Sequence, residues 1–142
     1  MKVMALASWM GGSGRTTLTA ALACAIRRIG RPVLAVDADP ANLLALHLGA
    51  TESAPTGLGA ALLAPAAASA YALENSDGVR ILPFGGPSAD HGRAPADVQG
   101  LRKLLQSIEL PADTIALIDT PRLPSGLAAQ ALAAADLGLF VW

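Results

Sequence analysis

The sequence predicts an α/β protein with a mostly parallel sheet that is covered by helices on both faces. Two observations predict this fold: short apolar runs recur along the chain, and helical patterns lie between them. The runs are almost continuously apolar, as is typical of strands buried on both faces. The five predicted strands are residues 3–8, 32–37, 79–83, 114–119 and 137–141.

Four helices are predicted between these strands. Apolar side chains recur every three or four positions, which places them on one face of each helix. In the third helix, for example, Leu101, Leu104 and Leu105 share a face, opposite Arg102 and Lys103. Ser125 can cap the fourth helix, which is dense in Ala and Leu. The predicted helices are residues 16–29, 57–64, which Pro65 ends, 101–108 and 126–135.

Length and composition limit the possible functions. The chain has 142 residues, which suits a single domain (residues 1–142), and its net charge of −1 provides no basic surface for nucleic acid. The single cysteine, Cys24, predicts a small core residue in a reducing compartment. His47 and His91 lack a second ligand at zinc spacing. Residues 53–73 carry no charge, but prolines and glycines interrupt them, so no membrane helix is predicted.

Residues 9–17, Trp-Met-Gly-Gly-Ser-Gly-Arg-Thr-Thr, have the outline of a phosphate-binding loop. They follow the first strand and open the first helix, which is the context that such a loop requires. Glycines let successive backbone N–H groups turn toward an anion, and the helix N-terminus adds partial positive charge. The predicted phosphate-binding residues are Gly11, Gly12, Ser13, Gly14, Arg15, Thr16 and Thr17.

Arg15 stands where a lysine usually contacts the β- and γ-phosphates, and Thr16 stands where a hydroxyl usually binds Mg²⁺. Arginine keeps the charge and can bind phosphate through two N–H groups, but its planar fork is larger than an ammonium. The side chain can therefore lie along the phosphates or point outward. We expect nucleotide affinity to survive this replacement better than hydrolysis.

Three aspartates follow predicted strands. Asp37 and Asp39 are two apart, so on an extended backbone their side chains point the same way. One could serve a hydrated Mg²⁺ and the other orient an attacking water; alternatively, Asp39 caps the short helix that follows Pro40. Asp119 closes an apolar strand, where it either reaches a Mg²⁺-bound water or forms a turn, and the glycine loop favours the metal site.

Taken together, these residues resemble the deviant-Walker ATPases of the MinD/ParA class. The resemblance is carried by three segments: Met10 to Thr17, Val33 to Pro40, and Ile118 to Pro121. It is closer still to the accessory-ATPase family of bacterial cellulose-synthase operons, BcsQ or YhjQ, in Asp37-Ala38-x-Pro40-x-Asn42-Leu43-Leu44, Leu82-Pro83-Phe84-Gly85 and Ile118-Asp119-x-Pro121-Arg122. It covers the whole chain but only the N-terminal part of the family's length, so we expect this domain to be C-terminally short. The last predicted strand is followed directly by Trp142, so further chain or another subunit should cover that sheet edge.

The resemblance implies a P-loop NTPase with three α/β/α layers that binds ATP and Mg²⁺. It implies that residues 11–17 hold the phosphates, that Thr16, Asp37 and Asp119 serve Mg²⁺, and that Asp39 is the catalytic residue that positions water. Family members form homodimers around two nucleotides, with a lysine that reaches across to the partner's phosphates. Met10 occupies that position here, so nucleotide-driven dimerisation should be weaker or differently built.

The function that this resemblance favours is an ATP-binding accessory protein of cellulose secretion. Such a protein is cytoplasmic, uses ATP occupancy to dimerise and to recruit cellulose-synthase accessory proteins at the cytoplasmic face of the inner membrane, and hydrolyses ATP slowly or not at all. Two alternatives stay open. One is a ParA-like ATPase that partitions chromosomes or plasmids, although the composition lacks the basic surface this requires. The other is a non-catalytic scaffold with a degenerate nucleotide site.

Overall fold

The computed structural model describes residues 1–52, 54–86 and 100–142, which form a sheet flanked by helices. His91, Ser53 and most of the predicted loop at 85–100 lie outside these residues. The strands are β1 (Lys2–Ala7), β2 (Val33–Asp37), β3 (Leu73–Glu74), β4 (Arg80–Leu82), β5 (Ile115–Asp119) and β6 (Leu137–Phe140). The helices are α1 (Arg15–Arg28), α2 (Leu44–His47), α3 (Leu58–Leu63), α4 (Gly100–Ser107) and α5 (Gly126–Ala134), with a 3₁₀ helix at Pro65–Tyr71.

The six strands lie in the order β3-β4-β2-β5-β1-β6. All neighbouring pairs are parallel except β3 with β4. The central strands are in close register: Asp119 is the partner of Leu6 on one side and of Asp37 on the other. Because these strands run in the same direction, the loops that follow β1, β2 and β5 emerge at one edge of the sheet.

Helices cover both faces of the sheet, as the sequence predicts. On one face, α3, α4 and α5 pack over side chains such as Val36, Ala116 and Ile118. On the other face, α1 and α2 pack over side chains such as Ala35 and Leu117. Alternate residues of the same strands therefore enter different cores, which explains why the strand sequences are continuously apolar.

The five predicted strands and four predicted helices are confirmed, with boundaries that differ by at most one residue. Ser125 caps α5 as predicted: its hydroxyl accepts the Ala128 N–H at 3.0 Å. The structure adds the short strand β3, which pairs with β4 across a turn held by Asn75. The Asn75 side-chain oxygen accepts the N–H groups of Asp77 and Val79 in that turn.

Within the residues that the structure describes, no helix combines the length and the apolar character needed to cross a membrane. Cys24 lies in α1 and is half-buried. Gly57 lies in tight backbone contact near the start of α3, because a Cβ there would clash with the Pro83 carbonyl oxygen. This contact brings the start of α3 against the segment that follows β4, close to the loop after β2.

Candidate functional site

The glycine loop connects β1 to α1 in a conformation that only glycine adopts readily. Gly12 has φ +73° and Gly14 has φ +83°, both in the left-handed region, and a Cβ built on either meets no atom within 4 Å. Gly14 is the N-cap of α1, and its carbonyl accepts the Leu18 N–H at 2.8 Å. The first turn of α1 contains no acidic residue, so the positive end of the helix faces the loop without an internal counter-charge.

The loop forms the wall of a cavity of about 510 Å³ at the carboxyl edge of the sheet. Loops after three different strands meet there, as the sequence predicts. The cavity is lined by Gly11, Gly12, Ser13, Gly14, Arg15, Thr16, Thr17, Asp39, Leu43, His47 and Arg122. All seven predicted phosphate-binding residues are therefore on one wall, and Asp39 faces them. Asp37 and Asp119 are buried behind this wall, at the ends of β2 and β5.

Arg15 adopts neither of the two orientations that its sequence position allows. Its side chain turns inward: Nη2 donates to Asp39 Oδ2 at 3.1 Å, and Nε lies 3.4 Å from Asp119 Oδ1. Arg15 is 8% exposed. Among the described residues, its Nη1 has no hydrogen-bond partner. The guanidinium therefore shares its single positive charge between two carboxylates, and within the described residues both Nε and Nη1 lack a hydrogen-bond partner.

Asp37 organises the loop that carries Asp39. Asp37 Oδ1 accepts the Asp39 N–H, and Asp37 Oδ2 accepts the Leu44 N–H at the start of α2, both at 2.9 Å. Asp39 Oδ1 accepts the Ala41 N–H at 3.0 Å. Asp39 therefore does not cap α2. Asp37 accepts the first N–H of α2, and Asp39 accepts an N–H of the preceding turn.

Burial dominates the electrostatics of the two strand-end aspartates. It raises the pKa of Asp37 to about 7, although the two backbone N–H groups lower it, and the Asp119 and Asp39 charges raise it further. Burial also raises the pKa of Asp119, against the Thr16 hydroxyl and the Arg15 guanidinium, which lower it. Both carboxylates are therefore costly to keep ionised without a cation close by.

Asp119 and Ser13 carry buried polar atoms that suit a ligand. Within the described chain, neither carboxylate oxygen of Asp119 has a partner at hydrogen-bonding geometry, and the Ser13 hydroxyl also lacks one. Such atoms are rare in folded proteins and usually meet an ion, water or ligand. The same part of the chain contains no group of three or more His, Cys, Asp or Glu side chains placed to hold a metal by themselves. A divalent ion here would therefore need oxygens from a bound phosphate.

The sequence interpretation missed three residues of this cavity: Leu43, His47 and Arg122. Leu43 and His47 reach the cavity because Asp37 fixes the start of α2. Arg122 follows β5 in the segment where the Thr120 hydroxyl donates to the Leu6 carbonyl at 2.8 Å. The position of Arg122 after the β5 aspartate could have indicated it, whereas nothing local marks His47.

Trp9 and Met10 lie beside the cavity and are 55% and 63% exposed. The Met10 N–H donates to the Ser8 hydroxyl at 3.1 Å, and the Ser8 carbonyl accepts the Leu123 N–H at 2.9 Å. Ser8 thus ties the start of the glycine loop to the segment after β5. Met10 therefore projects from an anchored backbone at the position where the resembled ATPases have a lysine.

The family model described as cellulose biosynthesis protein BcsQ matches residues 1–142. The cellulose biosynthesis protein BcsQ of Escherichia coli K12 is 33% identical over 149 residues, which cover 99% of this chain and 58% of that protein. BcsQ of Salmonella typhimurium is 33% identical over 99 residues, covering 70% of this chain and 40% of its own length. The matched regions thus span between 40% and 58% of the length of these relatives.

Solved structures share the fold. Cobyrinic acid a,c-diamide synthase from Mycobacterium smegmatis, with an ATP analogue and magnesium, superposes with a TM-score of 0.85 at 27% identity. That alignment covers 100% of this chain and 58% of the synthase. The septum site-determining protein MinD from Pyrococcus horikoshii, complexed with Mg-ADP, superposes with a TM-score of 0.79 at 30% identity. That alignment covers 99% of this chain and 57% of MinD. The P-loop ATPase fold predicted from the sequence is confirmed.

Proposed function

This chain belongs to the cellulose biosynthesis protein BcsQ family, and we propose on that premise that it is the nucleotide-binding part of a cellulose-secretion accessory protein. The observation that carries the proposal is the cavity at the carboxyl edge of the sheet, which the glycine loop and Asp39 line and at which β2 and β5 end in the buried Asp37 and Asp119. Ligands of parallel α/β sheets bind at this edge. Both solved structures described above contain nucleotide and magnesium, and both share this fold.

The residues of the cavity fit a magnesium nucleotide. Residues 11–17 would hold the phosphates, because their glycines leave the backbone N–H groups open to an anion. Thr16 and Asp119 would hold Mg²⁺, since the Asp119 oxygens are buried without hydrogen-bond partners among the described residues. Asp37 would contribute through the loop it orders, because each of its oxygens already accepts a backbone N–H. Bound Mg²⁺ would neutralise phosphate charge.

Slow or absent turnover follows from the position of Arg15 and Asp39. Asp39 is the residue proposed to position water, and its Oδ2 is already bonded to the Arg15 guanidinium. An oxygen that accepts this charged donor is a poorer acceptor for a water molecule. We therefore propose that ATP occupancy, rather than hydrolysis, is the signal that this protein uses.

The proposed consequence of ATP occupancy is dimerisation and recruitment of cellulose-synthase accessory proteins at the cytoplasmic face of the inner membrane. Met10 replaces the lysine that crosses between subunits in the resembled ATPases, so the dimer would lack that charged contact. The exposed Trp9 and Met10 side chains beside the cavity would supply apolar contacts instead. The dimer should then depend less on salt concentration than one held by a lysine–phosphate pair.

Thermal unfolding with and without ATP and Mg²⁺ tests the proposal. A ligand that binds only the native state raises the melting temperature. At a ligand concentration of about 100 times Kd, the free energy of unfolding increases by about 2.7 kcal/mol. Light scattering of the same samples reports the dimer. An unchanged melting temperature at millimolar ATP would favour the non-catalytic scaffold instead. Salt-dependent retention on DNA would favour the ParA-like partitioning ATPase.

A further inference from the structure

Arg15 contacts two acidic residues: Asp39, which lines the cavity, and Asp119, which is buried at the end of β5. Its Nη2 lies 3.1 Å from Asp39 Oδ2, and its Nε lies 3.4 Å from Asp119 Oδ1. The side chains of Arg15 and Asp119 are 9% and 1% exposed, so solvent screens this pair weakly. The two contacts come from two neighbouring strands: Asp39 follows β2, Asp119 ends β5, and β2 pairs with β5.

We propose that Arg15 is an internal latch that competes with a divalent cation for Asp39 and Asp119. This inference rests on the proposed nucleotide function and concerns how that site is regulated. The carboxylate oxygens that face the guanidinium are the ones a cation or its water shell would need. A second positive charge at the same place is also repelled by the first, and more strongly in a buried site than in water. Magnesium therefore strengthens nucleotide binding only to the extent that the Arg15 side chain moves away from these two carboxylates.

The shape of the arginine side chain makes this latch possible. A guanidinium presents five N–H donors in a rigid planar fork, so it can face two carboxylates at once. A lysine ammonium is a compact point charge on a flexible stem, and it does not reproduce the two directed contacts. The third nitrogen, Nη1, is buried and has no hydrogen-bond partner among the described residues, so it can donate to an entering phosphate. In this proposal, the binding of phosphate by Arg15 and the separation of Arg15 from Asp119 are linked, because one side chain makes both contacts.

The test compares ADP affinity in EDTA and in Mg²⁺ for the wild type, Arg15→Lys and Arg122→Lys by calorimetry. The measured quantity is the magnesium enhancement, which is Kd in EDTA divided by Kd in Mg²⁺. Arg15→Lys should exceed the wild-type enhancement by about fivefold or more, the lower end of typical coupling between two binding events. Arg122 lines the same cavity but belongs to neither ion pair, so Arg122→Lys should shift both Kd values together. Equal enhancement in the wild type and Arg15→Lys, or an equal rise in Arg122→Lys, would overturn the latch.

A second measurement needs no nucleotide. If none of these proteins binds ADP under either condition, the proposed function fails. The latch is then tested by the melting temperatures of the wild type, Arg15→Gln, Asp39→Asn and the double variant. The latch predicts that the double variant loses clearly less melting temperature than the sum of the losses in the two single variants, because both substitutions remove the same contact. Additive losses would overturn it. Arg15→Lys replaces Arg15→Gln if the latter does not fold. The exposed pair Arg31–Asp113, at 3.7 Å, gives the control cycle, which should be additive.

Discussion

Asp37 and Asp119 are register partners at the carboxyl ends of the neighbouring parallel strands β2 and β5. Both are buried, yet their surroundings differ. Asp37 accepts two backbone N–H groups from its own loop, whereas Asp119 faces the Arg15 guanidinium and has no hydrogen-bond partner among the described residues. Two identical side chains at one sheet edge thus have different tasks: Asp37 orders the loop, and Asp119 faces the site.

Acidification should stabilise the metal-free protein through Asp37. Burial raises the pKa of Asp37 to about 7 from 3.8, so the folded protein binds this proton more tightly than the unfolded chain. The free energy of unfolding that this group contributes therefore rises as pH falls from about 7 to about 4, and is lost as pH rises again. Burial raises the pKa of Asp119 too, and that group acts in the same direction.

The measurement is thermal unfolding of the wild type and Asp37→Asn in EDTA, from about pH 8 to about pH 5. Asparagine keeps the shape of the side chain and does not titrate. The melting temperature of the wild type, relative to that of Asp37→Asn, should increase as the pH falls. A difference between the two proteins that stays constant over this range would contradict the raised pKa of Asp37.

Asp119 should carry the magnesium dependence of nucleotide binding. The effect is best seen in the Arg15→Lys background, where we expect the carboxylate to be released. Adding Asp119→Asn there should reduce the magnesium enhancement of ADP affinity by about tenfold, because loss of a metal-site contact typically costs that much or more. Calorimetry in EDTA and in Mg²⁺ measures it, and the affinity in EDTA serves as the internal control. An enhancement that survives Asp119→Asn would place the ion elsewhere.

Gly14→Ala should destabilise the protein and weaken nucleotide binding, whereas Gly11→Ala should change stability little. Gly14 has φ +83°, which costs an L side chain about 1–2 kcal/mol, and Gly11 is not in that region. A Cβ at either position meets no atom within 4 Å, so the pair isolates backbone conformation from steric contact. Urea unfolding of both variants gives the comparison. Equal losses of stability would show that the left-handed conformation is not the cause.

The sequence predicted the strands and helices well because both faces of the sheet are buried. Residues such as Val36 and Leu117 enter opposite cores, so each central strand is a continuous apolar run that stands out from its neighbours. The strand β3 has no such signal: Leu73 is 41% exposed, and the strand depends on the turn around Asn75. Its stabilisation is local to the backbone and leaves no hydrophobic pattern.

The sequence indicated which residues lie at this edge of the sheet, but not how their side chains contact one another. The glycine pattern and the strand-end aspartates indicated that residues 11–17, Asp37, Asp39 and Asp119 belong to one edge, and the structure brings them together there. The direction of Arg15 could not be predicted, because it depends on where Asp39 and Asp119, distant in the sequence, lie relative to α1. His47 likewise reaches the cavity only through the placement of α2 by Asp37.

Asn42 should prove to be the anchor of the loop that carries Asp39. It is 5% exposed, its side-chain oxygen accepts the Phe84 N–H at 3.0 Å and the Gly85 N–H at 3.4 Å, and its amide donates to the Ala54 carbonyl at 3.3 Å. Its φ of +52° is a conformation that asparagine tolerates better than alanine. Asn42→Ala should therefore lose about 2 kcal/mol or more from the broken hydrogen bonds together with backbone strain.

Asn42→Gly is the matched variant, because it removes the same side chain but tolerates the positive φ. It should be about 1 kcal/mol more stable than Asn42→Ala in urea unfolding, the difference being the strain alone. Both variants should also weaken ADP binding, since the loop that Asn42 holds carries Asp39 and Leu43 into the cavity. Wild-type stability in both would remove Asn42 from this role, and equal destabilisation would assign the whole effect to the hydrogen bonds.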